Sequence, residues 1–432
     1  MKSLLGLLFI VISLNFNVSG SHIQHFKKNK PKRLAKTLLK DSLFANHHFG
    51  FILFNPKKNK SVLEINPDKY FTPASNTKLL TLLTILGEFP NSDSLTLFKY
   101  HKAGDSLIVQ GTGLPSLLHP DFNDTLPEFL TQKKNHIFLS QENKPKRFGD
   151  GWAWDDYPYQ ISAEISDFPI YGNNARFTRQ ENGKITSVNR IFRDSITNIS
   201  GPWARNEKKN IFHTNKIKRD TTDIPFITSN ELTLALLSDT LKQSVQPWKA
   251  DFPKSASHFK TAVRDTLLKK MMIDSDNFIA EQLLLHLAIE KYDTTAISIA
   301  IDSAVSKHFA DLKNQPVWRD GSGLSRYNLN TPSNIIDTYL MLERLIGRKK
   351  LLTYLAKGGE TGTLKKMFTE EPRIEIFGKT GSMSNNFVFS GYLLTKKGET
   401  LLFCFMNTHF SHSVSEMRSG VERILRLVHQ SY

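Results

Sequence analysis

Apolar residues at both ends of the chain follow the pattern of β-strands. The apolar run Phe49–Phe54, the turn 55–60 and the run Ser61–Ile65 predict a hairpin. Three later runs have the same strand-like character: Ile374–Phe377, Phe387–Leu394 and Glu399–Met406. They are followed by an amphipathic helix over Val414–His429. The economical arrangement is an antiparallel sheet built from both chain ends and covered by helices, which is an α+β fold.

Helical spacing of apolar residues marks several segments between these strands. The segment that starts at Ser75 carries apolar residues on more than one face, which predicts a buried helix. Asn277 leads into a long amphipathic segment, and Thr331-Pro332 combines a helix cap with a first-turn proline. Helical character also returns around Ser255.

The middle of the chain, about 90–252, has a different character. It is rich in Asp, Asn, Pro and aromatic residues and has short apolar runs, which predicts small strands and long loops rather than long helices. We therefore assign 21–95 and 255–432 to one main domain and 96–254 to an inserted β-rich region. Whether the insert holds one domain or two is left open.

The first twenty residues have the pattern of a secretory signal. Lys2 supplies positive charge, Leu4–Leu14 is almost wholly apolar, and Val18-Ser19-Gly20 offers small residues for cleavage. The apolar run is short for a membrane span, although an uncleaved anchor or a buried first helix are alternatives. We expect residues 1–20 to be a signal peptide and the protein to be exported, to the periplasm or another extracytoplasmic compartment, with the cleavage position open.

Composition narrows the classes of partner and cofactor. The 432 residues are 39% hydrophobic and 23% charged, as in folded globular proteins. The net charge of +16 would suit an anionic partner, and export makes nucleic acid a poor choice. A peripheral contact with a membrane surface or an anionic wall polymer is left open. The one cysteine of the sequence, Cys404, lies in a buried-strand pattern, and the sequence has no His-Glu-x-x-His motif. We therefore expect no metal and no cofactor.

The segment Ser75-Asn76-Thr77-Lys78 can carry nucleophilic chemistry. A serine hydroxyl is a weak nucleophile until a neighbouring group removes its proton. Three residues along a helix place Lys78 on the same face as Ser75, and burial can lower a lysine pKa enough to make it a base. The motif is weak alone, because an ordinary helix start fits it and Ser257-His258-Phe259-Lys260 matches the same pattern.

Two further short motifs follow the first along the chain. Ser275-Asp276-Asn277 precedes a helix and could be a simple cap, and Lys379-Thr380-Gly381 lies on a strand and could be a basic turn. Together with the first motif they read Ser-x-x-Lys, Ser-x-Asn and Lys-Thr-Gly, the order used by penicillin-recognising serine enzymes. Each motif lies on an element where the fold inferred above can use it. A chance match to the three short patterns would not need to fall at such positions.

The surroundings of these motifs resemble the D-alanyl-D-alanine carboxypeptidase/endopeptidase family, the class C low-molecular-mass penicillin-binding proteins. Four segments carry the resemblance: Pro73–Leu79, Ser275–Glu281, the glycine-rich turn Asp320–Arg326, and Gly378–Ser382. The insert contains two further segments that resemble the family, Gly111–Leu117 and Trp152–Asp156. The first has Leu114 where the family has Asp. The resemblance implies a transpeptidase/β-lactamase-like domain with an insert that is shorter than in well-known members.

The resemblance also implies roles for the catalytic residues. Ser75 would attack the carbonyl of the penultimate D-alanine in a peptidoglycan stem peptide, and Lys78 would take its proton. Ser275, with Lys379 nearby, would relay a proton to the leaving group. β-Lactam antibiotics would inhibit the enzyme by acylating the same serine, Ser75.

Substrate binding follows from the same resemblance. Asn277 would hold the substrate amide, and Lys379 and Thr380 would bind the terminal carboxylate. Gly381 and Ser382 complete the substrate-binding strand. The backbone N–H groups of Ser75 and Ser382 would form the oxyanion hole.

Two alternatives to a serine-type D-Ala-D-Ala carboxypeptidase remain. A β-lactamase-like or D-aminopeptidase activity is disfavoured by the long insert and the glycine-rich turn. A non-catalytic wall-binding protein is disfavoured by the intact motif residues. The balance of carboxypeptidase and endopeptidase action, the third residue of the stem peptide and the oligomeric state are left open.

Overall fold

The computed structural model describes residues 29–90, 92–122, 127–132, 136–142 and 144–432. The signal peptide expected at 1–20 lies outside these residues. The helices are α1 (Asn29–Lys40), α2 (Ser42–Ala45), α3 (Lys78–Glu88), α4 (Glu128–Thr131), α5 (Asn230–Leu241), α6 (Arg264–Ile273), α7 (Asn277–Tyr292), α8 (Ile297–His308), α9 (Pro332–Ile346), α10 (Arg348–Leu352) and α11 (Val414–Ser431).

The strands are numbered along the chain in the same way as the helices. They are β1 (His48–Asn55), β2 (Lys60–Ile65), β3 (Ser94–Ala103), β4 (Ser106–Gly111), β5 (His136–Ser140), β6 (Asn174–Arg179), β7 (Ile185–Ser187), β8 (Ile196–Thr197), β9 (Phe212–His213), β10 (Thr221–Pro225), β11 (Val245–Trp248), β12 (Ser257–Ala262), β13 (Ala356–Lys357), β14 (Ile376–Met383), β15 (Asn386–Leu394) and β16 (Thr400–Thr408).

The main sheet joins the two ends of the chain, as the sequence predicted. Its order is β13-β14-β15-β16-β1-β2, and neighbouring strands are antiparallel. Both faces are buried: Phe51 and Phe405 pack in one apolar cluster, whereas Ile52 and Met406 pack in the other. Burial on both faces explains why β1 shows little alternation in sequence. Helices α1 and α11 pack against one another beside this sheet, while α9 contacts β1 and β16. Cys404 is a free thiol buried in β16.

A second sheet has the order β11-β5-β4-β3-β12. Strand β12 pairs with β3, so the segment after Ser255 is first a strand, and helix begins only at Arg264. The expectation of helix from about Ser255 was therefore too early by several residues. The look-alike motif Ser257-His258-Phe259-Lys260 lies on this strand, where residues three apart point to opposite faces. It cannot place Ser257 beside Lys260.

The middle of the chain contains a helix of ordinary length, α5, where the sequence predicted only small strands and long loops. Helix α5 has 12 residues, and the Ser229 side chain accepts a hydrogen bond from Leu232 N at 3.1 Å as its cap. Two smaller sheets also lie here, β10-β6-β7 and β8-β9.

Helix α7 runs through the interior beside α3, α6 and α8. Asp276 caps it by accepting from Ile279 N at 2.9 Å, and twelve of its sixteen residues are buried. The predicted cap at Thr331 is confirmed, since its side chain accepts from Asn334 N at the start of α9. Across the described ranges, none of the helices combines the length and apolarity that a membrane span requires.

Candidate active site

Ser75 and Lys78 lie where a 3₁₀ turn runs into a buried helix. The turn covers Ala74–Thr77, and α3 begins at Lys78 rather than at Ser75. Ala74 has φ of +45°, a left-handed conformation that turns the chain just before Ser75. The Lys78 side chain is fully buried, and its Nζ donates to Ser75 Oγ at 3.1 Å. The predicted juxtaposition of hydroxyl and amine is therefore present.

The Lys78 amine has two further acceptors around it. Its Nζ donates to Asn277 Oδ1 at 2.6 Å and to the backbone oxygen of Ser322 at 2.7 Å. Burial lowers the pKa of Lys78 to about 8, although the carboxylates of Asp320 and Glu281 act in the opposite direction. An amine with this pKa is in part neutral near pH 8, and the neutral form can accept the Ser75 proton.

The second motif faces the first across the site. Ser275 is half-buried and has φ of +64° in the loop between α6 and α7. Its Oγ accepts from Lys379 Nζ at 2.8 Å. Asn277, the first residue of α7, bonds Lys78 through Oδ1 and donates from Nδ2 to Ile161 O at 2.9 Å. Both ends of its amide are thus fixed.

The third motif lies in the middle of β14. Lys379 is fully buried, and burial together with the nearby charge of Lys78 holds its pKa well below the usual range. Thr380 donates to Thr363 Oγ1 at 2.8 Å. A Cβ on Gly381 would lie 2.8 Å from Ser75 N, so only glycine lets β14 come this close to the serine. The Ser382 side chain is exposed and accepts from Arg418 at 3.3 Å.

The structure also brings in two carboxylates that the sequence reading did not assign to the site. Glu281 accepts from Gly321 N at 3.0 Å and Ser322 N at 2.7 Å. Asp320 accepts from Gly323 N, Ser325 N, Asn328 Nδ2 and Trp152 Nε1, all at 2.6–2.9 Å. Both carboxylates are 1% exposed.

These carboxylates accept hydrogen bonds from the backbone of the glycine-rich turn and so fix its position. The turn is what presents the Ser322 carbonyl to Lys78. Burial, followed by the charge of Asp320, raises the pKa of Glu281 to about 8. Sequence could have suggested Glu281, because it follows Asn277 by one helical turn on the same face.

Asn76 is a third residue to which the sequence analysis gave no role. Its Nδ2 donates to Lys379 O at 3.2 Å, and its Oδ1 accepts from the Ser390 hydroxyl. It ties the 3₁₀ turn Ala74–Thr77, which we call the serine turn, to β14 and β15, and it is completely buried. Nothing in its type or spacing marks this contact, since the partners lie more than 300 residues away along the chain.

Comparison with known proteins identifies relatives over almost the whole chain. The D-Ala-D-Ala carboxypeptidase 3 (S13) family model matches residues 240–428. The D-alanyl-D-alanine carboxypeptidase DacB of Haemophilus influenzae is 23% identical over 89% of this chain and 90% of its own. The crystal structure of penicillin binding protein 4 (dacB) from that organism has a TM-score of 0.71 and 19% identity, covering 93% of this chain and 98% of that one. In complex with a novel β-lactam, the same protein has a TM-score of 0.67 and 18% identity, with the same coverage.

The solved structures establish the penicillin-recognising α+β fold. The match begins before the second motif and continues past the third, and the related DacB sequence spans the insert as well. The chain is therefore similar to the D-Ala-D-Ala carboxypeptidase 3 (S13) family over residues 240–428 and to the carboxypeptidase DacB over most of its length, which supports D-Ala-D-Ala carboxypeptidase activity.

Proposed function

We propose that Ser75 is the acylated nucleophile of this D-Ala-D-Ala hydrolase and that Lys78 is its general base. The single observation that carries the proposal is the fully buried Lys78 Nζ at 3.1 Å from Ser75 Oγ. This distance lies within reach for direct proton transfer. A pKa of about 8 leaves part of the amine unprotonated at neutral pH.

Acylation then uses the two other motifs. Ser75 Oγ bonds to the carbonyl carbon of the penultimate D-alanine, and the bond from that carbon to the leaving nitrogen breaks. Ser275 Oγ passes its proton to that nitrogen and takes a replacement proton from Lys379 Nζ, which donates to it at 2.8 Å. Water hydrolyses the acyl-enzyme, which returns Ser75 and releases the shortened peptide.

Substrate contacts are assigned to the residues that surround this serine. Lys379 and Thr380 bind the terminal carboxylate, and Asn277 binds the substrate amide. Gly381 allows the substrate strand β14 to approach, as its contact distance with Ser75 N supports. The N–H groups of Ser75 and Ser382 form the oxyanion hole, a role worth about 3–4 kcal/mol per donor in other serine hydrolases.

Export and partners belong to the same proposal. The amino-terminal pattern of residues 1–20 supports export, so the enzyme meets peptidoglycan in the periplasm or another extracytoplasmic space. Segments 21–95 and 255–432 form the catalytic domain and 96–254 the insert. A related penicillin binding protein 4 has been crystallised with a β-lactam, which supports β-lactams as inhibitors of this enzyme. The +16 charge supports a peripheral contact with anionic wall polymer or membrane surface.

Intact-mass measurement after incubation with benzylpenicillin tests the nucleophile. We expect one covalent adduct per chain, located on the peptide that contains Ser75, and no adduct on the Ser75→Ala variant. Ser257→Ala is the matched control and should be acylated like the parent protein, because Ser257 lies on β12. An adduct that persists in Ser75→Ala would refute the assignment.

A further inference from the structure

Arg418, on α11, lies at the edge of the candidate site. Its Nη2 donates to Ser382 Oγ at 3.3 Å, and Ser382 directly follows the Lys-Thr-Gly motif on β14. The guanidinium carbon lies 5.7 Å from the centre of the Phe387 ring. Phe387 is the partner of Ser382 in the antiparallel pairing of β14 with β15, so the two side chains share one face of the sheet. Arg418 is thus held against the end of the third motif.

The positive charge of Arg418 has no counter-ion in the described part of the chain. On the same helix, Arg423 pairs with Asp41 at 2.5 Å and Arg426 pairs with Glu422 at 3.0 Å. Arg418 forms no ion pair of this kind with the described residues, and burial alone lowers its pKa. Its hydrogen bond to Ser382 is exposed, so an anion can approach the guanidinium there. A half-buried, unpaired cation favours such an anion.

The carboxylate expected in the site would lie on the same part of β14. Side chains two residues apart on a strand point to the same side, so Thr380 and Ser382 share a face. The proposed function assigns the terminal carboxylate to Thr380, and Arg418 reaches this face through Ser382. The short strand β13 pairs with β14 at Phe377 and Gly378 and does not cover the edge beyond them. A carboxylate held at that edge therefore lies within reach of the guanidinium.

The two lysines of the site are poorly suited to supply a lasting positive charge. Lys78 and Lys379 donate to the hydroxyls of Ser75 and Ser275, whose protons move in the proposed mechanism. The pKa of each lysine is lowered, so neither amine keeps a fixed proton during the reaction. A guanidinium stays protonated and offers planar N–H groups that match a carboxylate. Arg418 can therefore provide the charge that the two lysines do not.

We propose that Arg418 binds the carboxylate beside the bond to be cleaved, together with Thr380, and makes the enzyme selective for substrates that carry this charge. In a stem peptide it is the carboxylate of the terminal D-alanine. In benzylpenicillin it is the ring carboxylate, which is likewise attached to the carbon next to the leaving nitrogen. Arg418 holds the substrate and takes part in no bond change. This inference rests on the proposed function of Ser75 and adds a specificity-determining residue to it.

Benzylpenicillin and its methyl ester test the role of this charge. Both acylate a serine by opening the same β-lactam amide, but the ester has no carboxylate. Time-resolved intact mass of the purified protein gives the second-order rate constant of acylation for each compound. We expect Arg418→Gln to lower the rate constant for benzylpenicillin at least about tenfold, because a charged hydrogen bond is lost. The rate constant for the ester should change less than about twofold, because the ester offers Arg418 no negative charge.

Arg423→Gln is the matched control on the same helix. Arg423 is exposed, and its pair with Asp41 lies on α11 and the segment before α2. Removal of this surface charge should leave both rate constants within about twofold of the parent values. If Arg423→Gln slowed benzylpenicillin as much as Arg418→Gln does, the net charge of α11 would be responsible, and the assignment to Arg418 would be wrong.

Other outcomes separate this inference from the proposed function. If Arg418→Gln slowed both compounds equally, Arg418 would only support the shape of β14. The inference would then be wrong, while an adduct on Ser75 would leave the nucleophile in place. If the parent protein formed no adduct with either compound, the proposed function would fail, and this inference would fail with it.

A measurement on the parent protein alone covers the case in which Arg418→Gln does not fold. A guanidinium keeps its charge between pH 6 and 9, whereas a lysine with a lowered pKa loses its charge as pH rises. We expect the rate constant for benzylpenicillin to exceed that for the ester at least about tenfold, with a constant ratio over this range. A ratio that falls toward one as pH rises would place the charge on a lysine and overturn the inference.

Discussion

At the scale of single residues, the unusual feature is a pair of buried lysines. Lys78 and Lys379 are both 0% exposed, and burial of a cation is costly unless it is hydrogen-bonded or neutralised. Each amine has oxygen acceptors within 3.1 Å, and for each the pKa is lowered. The site therefore favours an amine that can lose its proton near neutral pH, which a solvent-exposed lysine would not do.

The pH dependence of acylation follows from the pKa of Lys78. Only the neutral amine can act as base, and its fraction rises as pH increases through about 8. The second-order rate of acylation by benzylpenicillin should therefore rise about tenfold per pH unit well below pH 8 and level off above it. Time-resolved intact mass between pH 6 and 9 measures this profile.

The Lys78→Arg variant provides the comparison. A guanidinium stays protonated at all these pH values, so acylation should fall by at least about 100-fold with no rise toward pH 9. A flat profile for the parent protein would contradict the role of Lys78 as base.

At the scale of elements, the site depends on three backbone segments approaching closely. The serine turn lies against β14 at Gly381 and against the glycine-rich turn at Gly323. Gly323 has φ of +82°, and a Cβ there would lie 1.9 Å from Ala74 O. Glycine is required here for both conformation and space.

We expect Gly323→Ala to disturb the serine turn. The free energy of unfolding should fall by more than the roughly 1–2 kcal/mol of a left-handed alanine, because the Cβ also meets the backbone of Ala74. Gly104→Ala is the matched control, with φ of +57° and no atom within 4 Å. Urea unfolding of both variants measures the difference, and penicillin acylation should be slowed only in Gly323→Ala. If both variants lost the same free energy of unfolding, the serine turn would accommodate the added Cβ by a small shift, and the prediction would be wrong.

Sequence predicted the elements that carry local signals. The hairpin β1–β2, the three C-terminal strands and the cap at Thr331 all have such signals, and all are present. Helix α5 was missed because the surrounding segment is rich in loop-forming residues, which outweighed the cap at Ser229. Strand β12 was predicted as part of a helical region, because its pairing with β3 depends on residues far away along the chain.

The candidate site was predictable only as far as its motifs. Ser75 and Lys78 are neighbours on one helical turn, so spacing alone brings them together. The contacts of Asn277 with Lys78 and of Asn76 with Lys379 join residues about 200 and 300 positions apart. Only tertiary packing decides such pairs, so no periodicity or spacing could have given them.

At the scale of the whole molecule, α7 connects the candidate site residues with the segment 96–254. One face bears Asn277 and Glu281, which contact Lys78 and the glycine-rich turn. Another bears Gln282, which is 0% exposed. The Gln282 Nε2 donates to Gly113 O at 2.7 Å and Ser166 O at 2.8 Å, and its Oε1 accepts from Ser166 N at 3.0 Å.

Removal of this amide should weaken the attachment of the insert. Gln282→Ala would leave three backbone groups of Gly113 and Ser166 without their partner, and each buried unpaired group costs about 1–3 kcal/mol. We expect the free energy of unfolding in urea to fall by about 3 kcal/mol or more. Gln430→Ala, at an exposed position of α11, should change it by less than about 0.5 kcal/mol. A loss no larger than that of Gln430→Ala would mean that apolar packing alone holds the insert against α7.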